Sequence, residues 1–286
     1  MRRLERPIII LGAARSGTKM VRGILAAHPR VSMVPWDVNF IWKFGHYGIP
    51  HDQLRPDQAD PRTRAFIQRA LGRFLEPGHD RLVEKTVGNT LRPEFVRAVF
   101  PDCQIIHLVR DGRAVAESSR RMWQAPMDLR AVTEKLRAFP LRAVPTYGLQ
   151  YVRAYAERKL GLREGAVGTW GPRWEGIDDD VRRLPLLEVC ARQWVRSVEE
   201  ARAGLARLPP DCFTELRYEA LIADPAGEAA RLLAFLDLPP SLAVEAHLER
   251  TVTSSNLEKW QERLAPEEVE AVLGHEGSLL RELGYI

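Results

Sequence analysis

Two short stretches of the chain gather cations and hydroxyls in the way that chemistry on a tetrahedral anion would need. The first is Gly12-Ala13-Ala14-Arg15-Ser16-Gly17-Thr18-Lys19, in which two glycines enclose an arginine and a serine and a threonine and lysine follow. The second is Arg110-Asp111-Gly112-Arg113, with Ser118 eight residues beyond Arg110. On a helix that interval is about two turns, so the arginine and serine share a face and can grip one anion through charge-assisted hydrogen bonds. Between them, Glu84-Lys85-Thr86 carries one of only six lysines in a chain with 42 Lys and Arg together. With so few lysines, each has few rivals for work that needs a compact ammonium.

The flanking residues predict what positions these groups. Ile8 to Leu11 are four consecutive apolar residues, the pattern of a strand covered on both faces. Past Gly17, the residues Met20, Val21, Ile24 and Leu25 recur at helical spacing until Pro29. A tight loop entering a helix directs free backbone N–H groups and the positive end of the helix dipole at one spot, an anion site. The pattern repeats at Cys103–Val109, which runs into a helix with Asp111 as a natural N-cap. Further strands are expected at Val31–Val34, Arg81–Lys85 and Cys212–Leu216. Residues 45–62 read as loop, and helices are expected after them for about 14 residues, from Pro93, over 184–208, from Pro225 and from Pro266. Together these predict an α/β protein, a P-loop-like three-layer fold with a central, mostly parallel sheet flanked by helices. Both loops then lie on the edge where open sheets bind ligands. The chain reads as a single domain over 1–286. Its aromatic, Pro- and Gly-rich stretch 123–183 is read as an inserted lid or acceptor-binding region, with a decorated packing excursion as the alternative.

Composition narrows the function classes. A hydrophobic share of 45% with 28% charged residues describes an ordinary globular chain. No apolar run is long enough to span a membrane, and the run from Pro7 to Ala14 is stopped by Arg15 too early for a signal peptide. Cys103, Cys190 and Cys212 form no paired motif, which fits the cytoplasm. His46 and His51 lie close together but form no spaced set of thiol or acidic ligands, so no metal site is expected. The arginines are spread along the chain rather than blocked together, which argues against a nucleic-acid partner.

The glycines at 12 and 17 match the spacing of the nucleotide motif G-x-x-x-x-G-K-[ST], but Thr18 and Lys19 stand in reversed order and Arg15 intrudes. A lysine that must reach terminal phosphates from one fixed position does not tolerate that inversion. A small-molecule kinase using ATP and magnesium is therefore the second reading, and a glycine turn without a ligand the blandest one.

Taken together, the two junctions resemble the sulfotransferase family that uses 3′-phosphoadenosine-5′-phosphosulfate (PAPS), and RDGRA at 110–114 is most like its bacterial and protein-tyrosine branches. Arg217-Tyr218-Glu219-x-Leu221 with Asp224-Pro225 resembles a further family segment. Ser254-Ser255-Asn256 with Lys259-Trp260 resembles the stretch that closes over the nucleotide. The resemblance implies a sulfotransferase in which Arg15, Ser16, Gly17, Thr18 and Lys19 hold the 5′-phosphosulfate. Arg110 and Ser118 would hold the 3′-phosphate, and Tyr218 and Lys259 would line the nucleotide. Arg15 and Lys85 would act at the transferred group, with no metal. The family's basic glutamate, 21 or 22 residues past the loop's cation, is missing here. That window holds Trp36 and Asp37, so Asp37 is the candidate base, with Glu84 and His107 as fallbacks. The acceptor would be a small-molecule, carbohydrate or lipid hydroxyl, with the aromatics at 36–47 and 123–174 as candidate walls. Oligomeric state is not readable.

Overall fold

A computed structural model describes residues 4–125, 170–253 and 257–286 of the chain. Most of the expected insertion, and Ser254 to Asn256 of the closing stretch, lie outside the described residues.

Five strands form one sheet: β1 (Ile8–Leu11), β2 (Val31–Met33), β3 (Arg81–Glu84), β4 (Gln104–Val109) and β5 (Phe213–Arg217), in the order β2-β3-β1-β4-β5. Every pairing is parallel, for instance Ile9 opposite Ile105 and Leu108 opposite Leu216. The sheet expected to be mostly parallel is thus parallel throughout among the described residues. All residues of β1, β3 and β4 are buried, as continuous apolar strands with two covered faces require.

Strand pleating sends alternate side chains to opposite faces, and the core divides accordingly. Ile9, Leu11, Leu82 and Ile105 pack with Trp42 of α2 (Asn39–Trp42), Ile67 of α3 (Pro61–Gly72) and Phe95 of α4 (Pro93–Val99). On the other face lie Ile8, Ile10, Val83, Ile106 and Leu108. They meet Val21 and Ile24 of α1 (Thr18–Ala26), Leu232 of α9 (Pro225–Phe235) and Val244 of α10 (Leu242–Thr251). Beyond the carboxyl end of β4, Val115 of α5 (Gly112–Gln124), Trp194 of α7 (Leu186–Leu205) and Leu280 of α12 (Pro266–Glu282) form a third cluster. Truncating a fully buried member such as Ile106 to alanine costs about 2–5 kcal/mol.

Helix starts follow their sequence signals. Asp111 caps α5 and Asp224 precedes Pro225, whereas α3 starts inside the stretch expected to be loop, where the Asp60 carboxylate accepts from Arg62 and Thr63 N–H at 2.8 Å. Five helices had no sequence expectation of their own: α2, α10, α6 (Ile177–Arg183), α8 (Tyr218–Ala223) and α11 (Lys259–Arg263). None reaches the 11 or more residues over which helical spacing stands out from the sequence. No described helix is long and apolar enough to cross a membrane.

Candidate active site

The β1–α1 loop is shaped by its backbone. Gly12 lies where a Cβ would come within 2.8 Å of the Leu108 carbonyl, and Thr90 Oγ1 both accepts from Gly12 N–H and donates to Gly12 O. Arg15 and Gly17 hold left-handed φ values of 74° and 97°. Only glycine adopts that region freely, so Arg15 stores strain in the loop. Met20 N–H donates to the Gly17 carbonyl at 2.9 Å, the amides of Thr18 and Lys19 have no acceptor four residues back in a helix, and the neighbouring Ser16 Oγ is buried with no hydrogen-bond partner. A buried hydroxyl at a helix N-terminus suits an anionic oxygen ligand.

The β4–α5 junction reaches the same place. Arg15 Nε donates to Ser118 Oγ at 3.0 Å, and Arg110 Nη1 donates to the Arg15 carbonyl at 3.3 Å. The Arg110 guanidinium stacks on the Tyr218 ring at 4.2 Å, and the same ring closes on Gly17, where a Cβ would lie 2.6 Å from it. Arg15, Ser16, Gly17, Thr18, Arg110, Ser118 and Tyr218 therefore form one patch. Partial burial, then Arg121, then Arg110, lower the Arg15 pKa from its ordinary value. Cations held this close repel one another, which is the electrostatic signature of a surface built to receive negative charge.

A third group sits beside this patch. Lys85 Nζ donates to both Asp37 carboxylate oxygens, at 2.8 and 3.1 Å, with the lysine side chain 4% exposed and that of Asp37 33% exposed. The Lys19 pKa is lowered by burial and then by Lys85, with Asp37 opposing, so all three share one corner. Asp37 keeps an open edge for an acceptor hydroxyl. The fallback bases have none. Glu84 is wholly buried, where burial lifts its pKa to about 7, and it accepts from Thr86 Oγ1 and from Asn89 Nδ2. His107 is 1% exposed and turns Nδ1 towards Glu215 at 3.3 Å. Phe40 and Trp42, expected along an acceptor wall, are core residues instead.

Lys259 opens α11, which is fastened beside the patch by Trp260 under Arg113 at 4.4 Å and by Arg263 on Glu117 at 3.5 Å. Several supporting residues carried no role in the sequence reading: Thr86 and Thr90, Arg121 and Glu117, and Glu219. The pair Glu117–Arg121 was detectable at helical i,i+4 spacing. Thr90 and Glu219 act across long separations and left no local signal, while Thr86 bonds both to nearby Glu84 and to the distant Val38 N–H.

A parallel α/β sheet with two cation-bearing crossovers meeting at its carboxyl edge places positive charge where open sheets of this class bind their ligands. The chain belongs to the sulfotransferase family, whose model matches residues 7–167 and 170–241. It is 26% identical over 96% of its length to nodulation protein NoeE of Sinorhizobium fredii, of which it spans 65%. It is 25% identical over 65% of its length to omega-hydroxy-beta-dihydromenaquinone-9 sulfotransferase Stf3 of Mycobacterium tuberculosis, spanning 37% of that protein. Its fold is similar to that of sulfotransferase STF9 from Mycobacterium avium, with a TM-score of 0.59, 16% identity, and 98% and 77% of the two chains covered.

Proposed function

We propose that the protein transfers a sulfuryl group from PAPS to a hydroxyl acceptor by in-line displacement. The observation that carries this reading is the meeting of the two junctions, Arg15 on Ser118 and Arg110 on the Arg15 carbonyl. A donor with a 5′-phosphosulfate and a separate 3′-phosphate needs cations in two adjoining places, and this patch supplies them. Family membership supports the same reading. The orphaned Ser16 hydroxyl, the Gly17 cradle under Tyr218 and the cationic donor set fit such a group.

When bound, PAPS supplies a sulfuryl group already joined to a good phosphate leaving group. The chain's own work is positioning and charge stabilisation. Ser16, Thr18 and the first-turn amides of α1 hold the 5′ end, with Arg15 and Lys19 adding positive charge. Arg110 and Ser118 hold the 3′-phosphate, while Tyr218 backs Arg110 and Lys259 closes the nucleotide side. Arg15 releases Ser118 Oγ so that each can turn to its own end of the donor. Asp37 takes the proton of the acceptor hydroxyl. Lys85 orients that carboxylate and donates towards the oxygen that gains charge as the bond breaks.

The acceptor is a small-molecule, carbohydrate or lipid hydroxyl, and the 123–183 region, within a single domain, walls its side of the site. Trp123 and Trp170, with ring centroids 6.0 Å apart, begin that wall. A cytoplasmic setting agrees with Cys103 and Cys190, whose thiols burial pushes up to about 12 and leaves unreactive. Incubation with sulfur-labelled PAPS and a panel of phenols, sugars and lipid alcohols is expected to label at least one class. Label remaining on PAPS throughout, with phosphate transferred from magnesium ATP instead, would replace this reading by the kinase one.

A further inference from the structure

The Glu219 carboxylate joins two segments that approach from distant parts of the chain. Its Oε1 accepts from the backbone N–H of Asp111 at 3.0 Å, and its Oε2 accepts from the Tyr285 hydroxyl at 2.9 Å. Asp111 directly follows Arg110, and Glu219 directly follows Tyr218, so the staple ties together the two peptides whose preceding side chains stack at 4.2 Å. Tyr285 is itself fixed on three sides. Its carbonyl accepts from Arg113 Nη2 at 3.3 Å, its ring lies 5.3 Å from the Arg217 guanidinium, and the Leu283 carbonyl accepts from Arg217. Gly284 makes the turn between them at a φ of 72°. Burial, and then the Glu219 carboxylate, raise the Tyr285 pKa far above that of a free phenol, so its hydroxyl stays a proton donor.

We infer that Tyr285, acting through Glu219, is a positioning residue for the 3′-phosphate end of the donor site. It holds Arg110 on Tyr218 in the orientation that a 3′-phosphate requires. The inference rests on the proposed donor. It adds a residue that lies well past the family match, which ends at residue 241. The physical reason is preorganisation. An arginine already stacked and aimed loses less conformational freedom on binding than one that must be ordered by the ligand. Glu219 supplies the order by fixing the backbone on both sides of the stack, and the Tyr285 hydroxyl occupies the second oxygen so that the carboxylate cannot swing away.

The test is calorimetric titration of the full chain with 3′-phosphoadenosine-5′-phosphate (PAP) and with 5′-AMP, which lacks the 3′-phosphate. Tyr285→Phe keeps the ring and its packing but removes the donor. Its PAP affinity is expected to fall about three- to tenfold, part of the worth of one hydrogen bond to a charged group because the bond acts on Arg110 at one remove, with 5′-AMP affinity changed by less than about twofold. Glu219→Gln retains an acceptor for Asp111 N–H and an amide for Tyr285, so it keeps PAP affinity within about twofold of wild type, whereas Glu219→Ala loses at least as much as Tyr285→Phe. Unchanged PAP affinity in Tyr285→Phe overturns the inference. So does an equal loss on both nucleotides, because general loosening of the fold would not single out the 3′-phosphate. A wild-type chain with no preference for PAP over 5′-AMP overturns the donor assignment itself, and this inference with it.

Discussion

The two junctions that build the site are held in place by different means. The β1–α1 loop is shaped mainly by its own backbone, through left-handed Arg15 and Gly17, with Gly12 pinned under the Leu108 carbonyl and by the Thr90 hydroxyl of neighbouring elements. The β4–α5 junction is fixed from outside. Trp194 Nε1, 84 residues away, donates to the Arg110 carbonyl, and Arg113 reaches the Tyr285 carbonyl 172 residues away. A loop set mainly by its own backbone needs only the adjoining sheet and the Thr90 hydroxyl to hold its shape. A junction set by remote side chains depends on the closure of the whole chain. The first arrangement suits the end where bonds change, and the second suits the end where affinity is set.

That comparison divides the expected effects of substitution. On the side of the first junction, turnover should suffer most. Asp37→Asn removes the proposed base and is expected to lower kcat about 10²–10⁴-fold while leaving PAP affinity near wild type, measured by label transfer and by calorimetry. Lys85→Ala removes a donor to the charge that develops on the leaving side, and kcat should fall about 10²–10³-fold. A large loss of PAP affinity with unchanged kcat in either variant would erase the distinction. On the side of the second junction, affinity should suffer instead. Arg110→Ala is expected to weaken PAP about 10–100-fold, the scale of hydrogen bonds between charged partners, with 5′-AMP little affected.

The smallest effect concerns the helix behind the second junction. Glu276 of α12 is fully buried against Gly112 and Trp194, and neither of its oxygens has a hydrogen-bond partner among the described residues. Burial, reinforced by Asp111 and opposed by Arg113, raises its pKa well above the carboxylate range. The folded chain therefore keeps a proton that the unfolded chain releases above about pH 4.5, so stability is lost as pH rises through that range and beyond. Glu276→Gln should melt close to wild type at pH 4.5 and about 3–6 °C higher at pH 8, followed by thermal unfolding. A gain that is the same at both pH values would show that the carboxyl is not protonated.

The same contrast explains how much could be read from the sequence. β1, β4 and the helices behind them were legible because continuous apolar runs and 3.6-residue spacing are local patterns. The Gly12–Lys19 loop and the Arg110/Ser118 pair were legible for the same reason, and the structure brings them into contact. Tyr218 and Lys259 entered only through resemblance to a family. Thr90 on Gly12 and Glu219 on Asp111 were not legible, because a threonine or glutamate in one-dimensional context has many equivalent roles. Glu84 shows the opposite error. Its position beside Lys85 made it a fallback base, yet β3 buries it completely and Thr86 and Asn89 occupy its oxygens. The aromatic stretch after Val34 likewise suggested a wall, while Phe40 and Trp42 face the core. Side-chain direction at the end of a strand or in a short helix is decided by packing partners, and a sequence window does not contain them.

The central claim is that one donor, phosphorylated at both its 3′ and 5′ ends, spans the two junctions. Thermal melting of the wild-type chain with saturating PAP, compared with ATP plus magnesium, tests it most directly, since a ligand that binds only the folded state raises the melting temperature. PAP is expected to stabilise the protein strongly and ATP much less. Equal shifts with the two nucleotides would contradict the assignment of Arg110 and Ser118 to a 3′-phosphate.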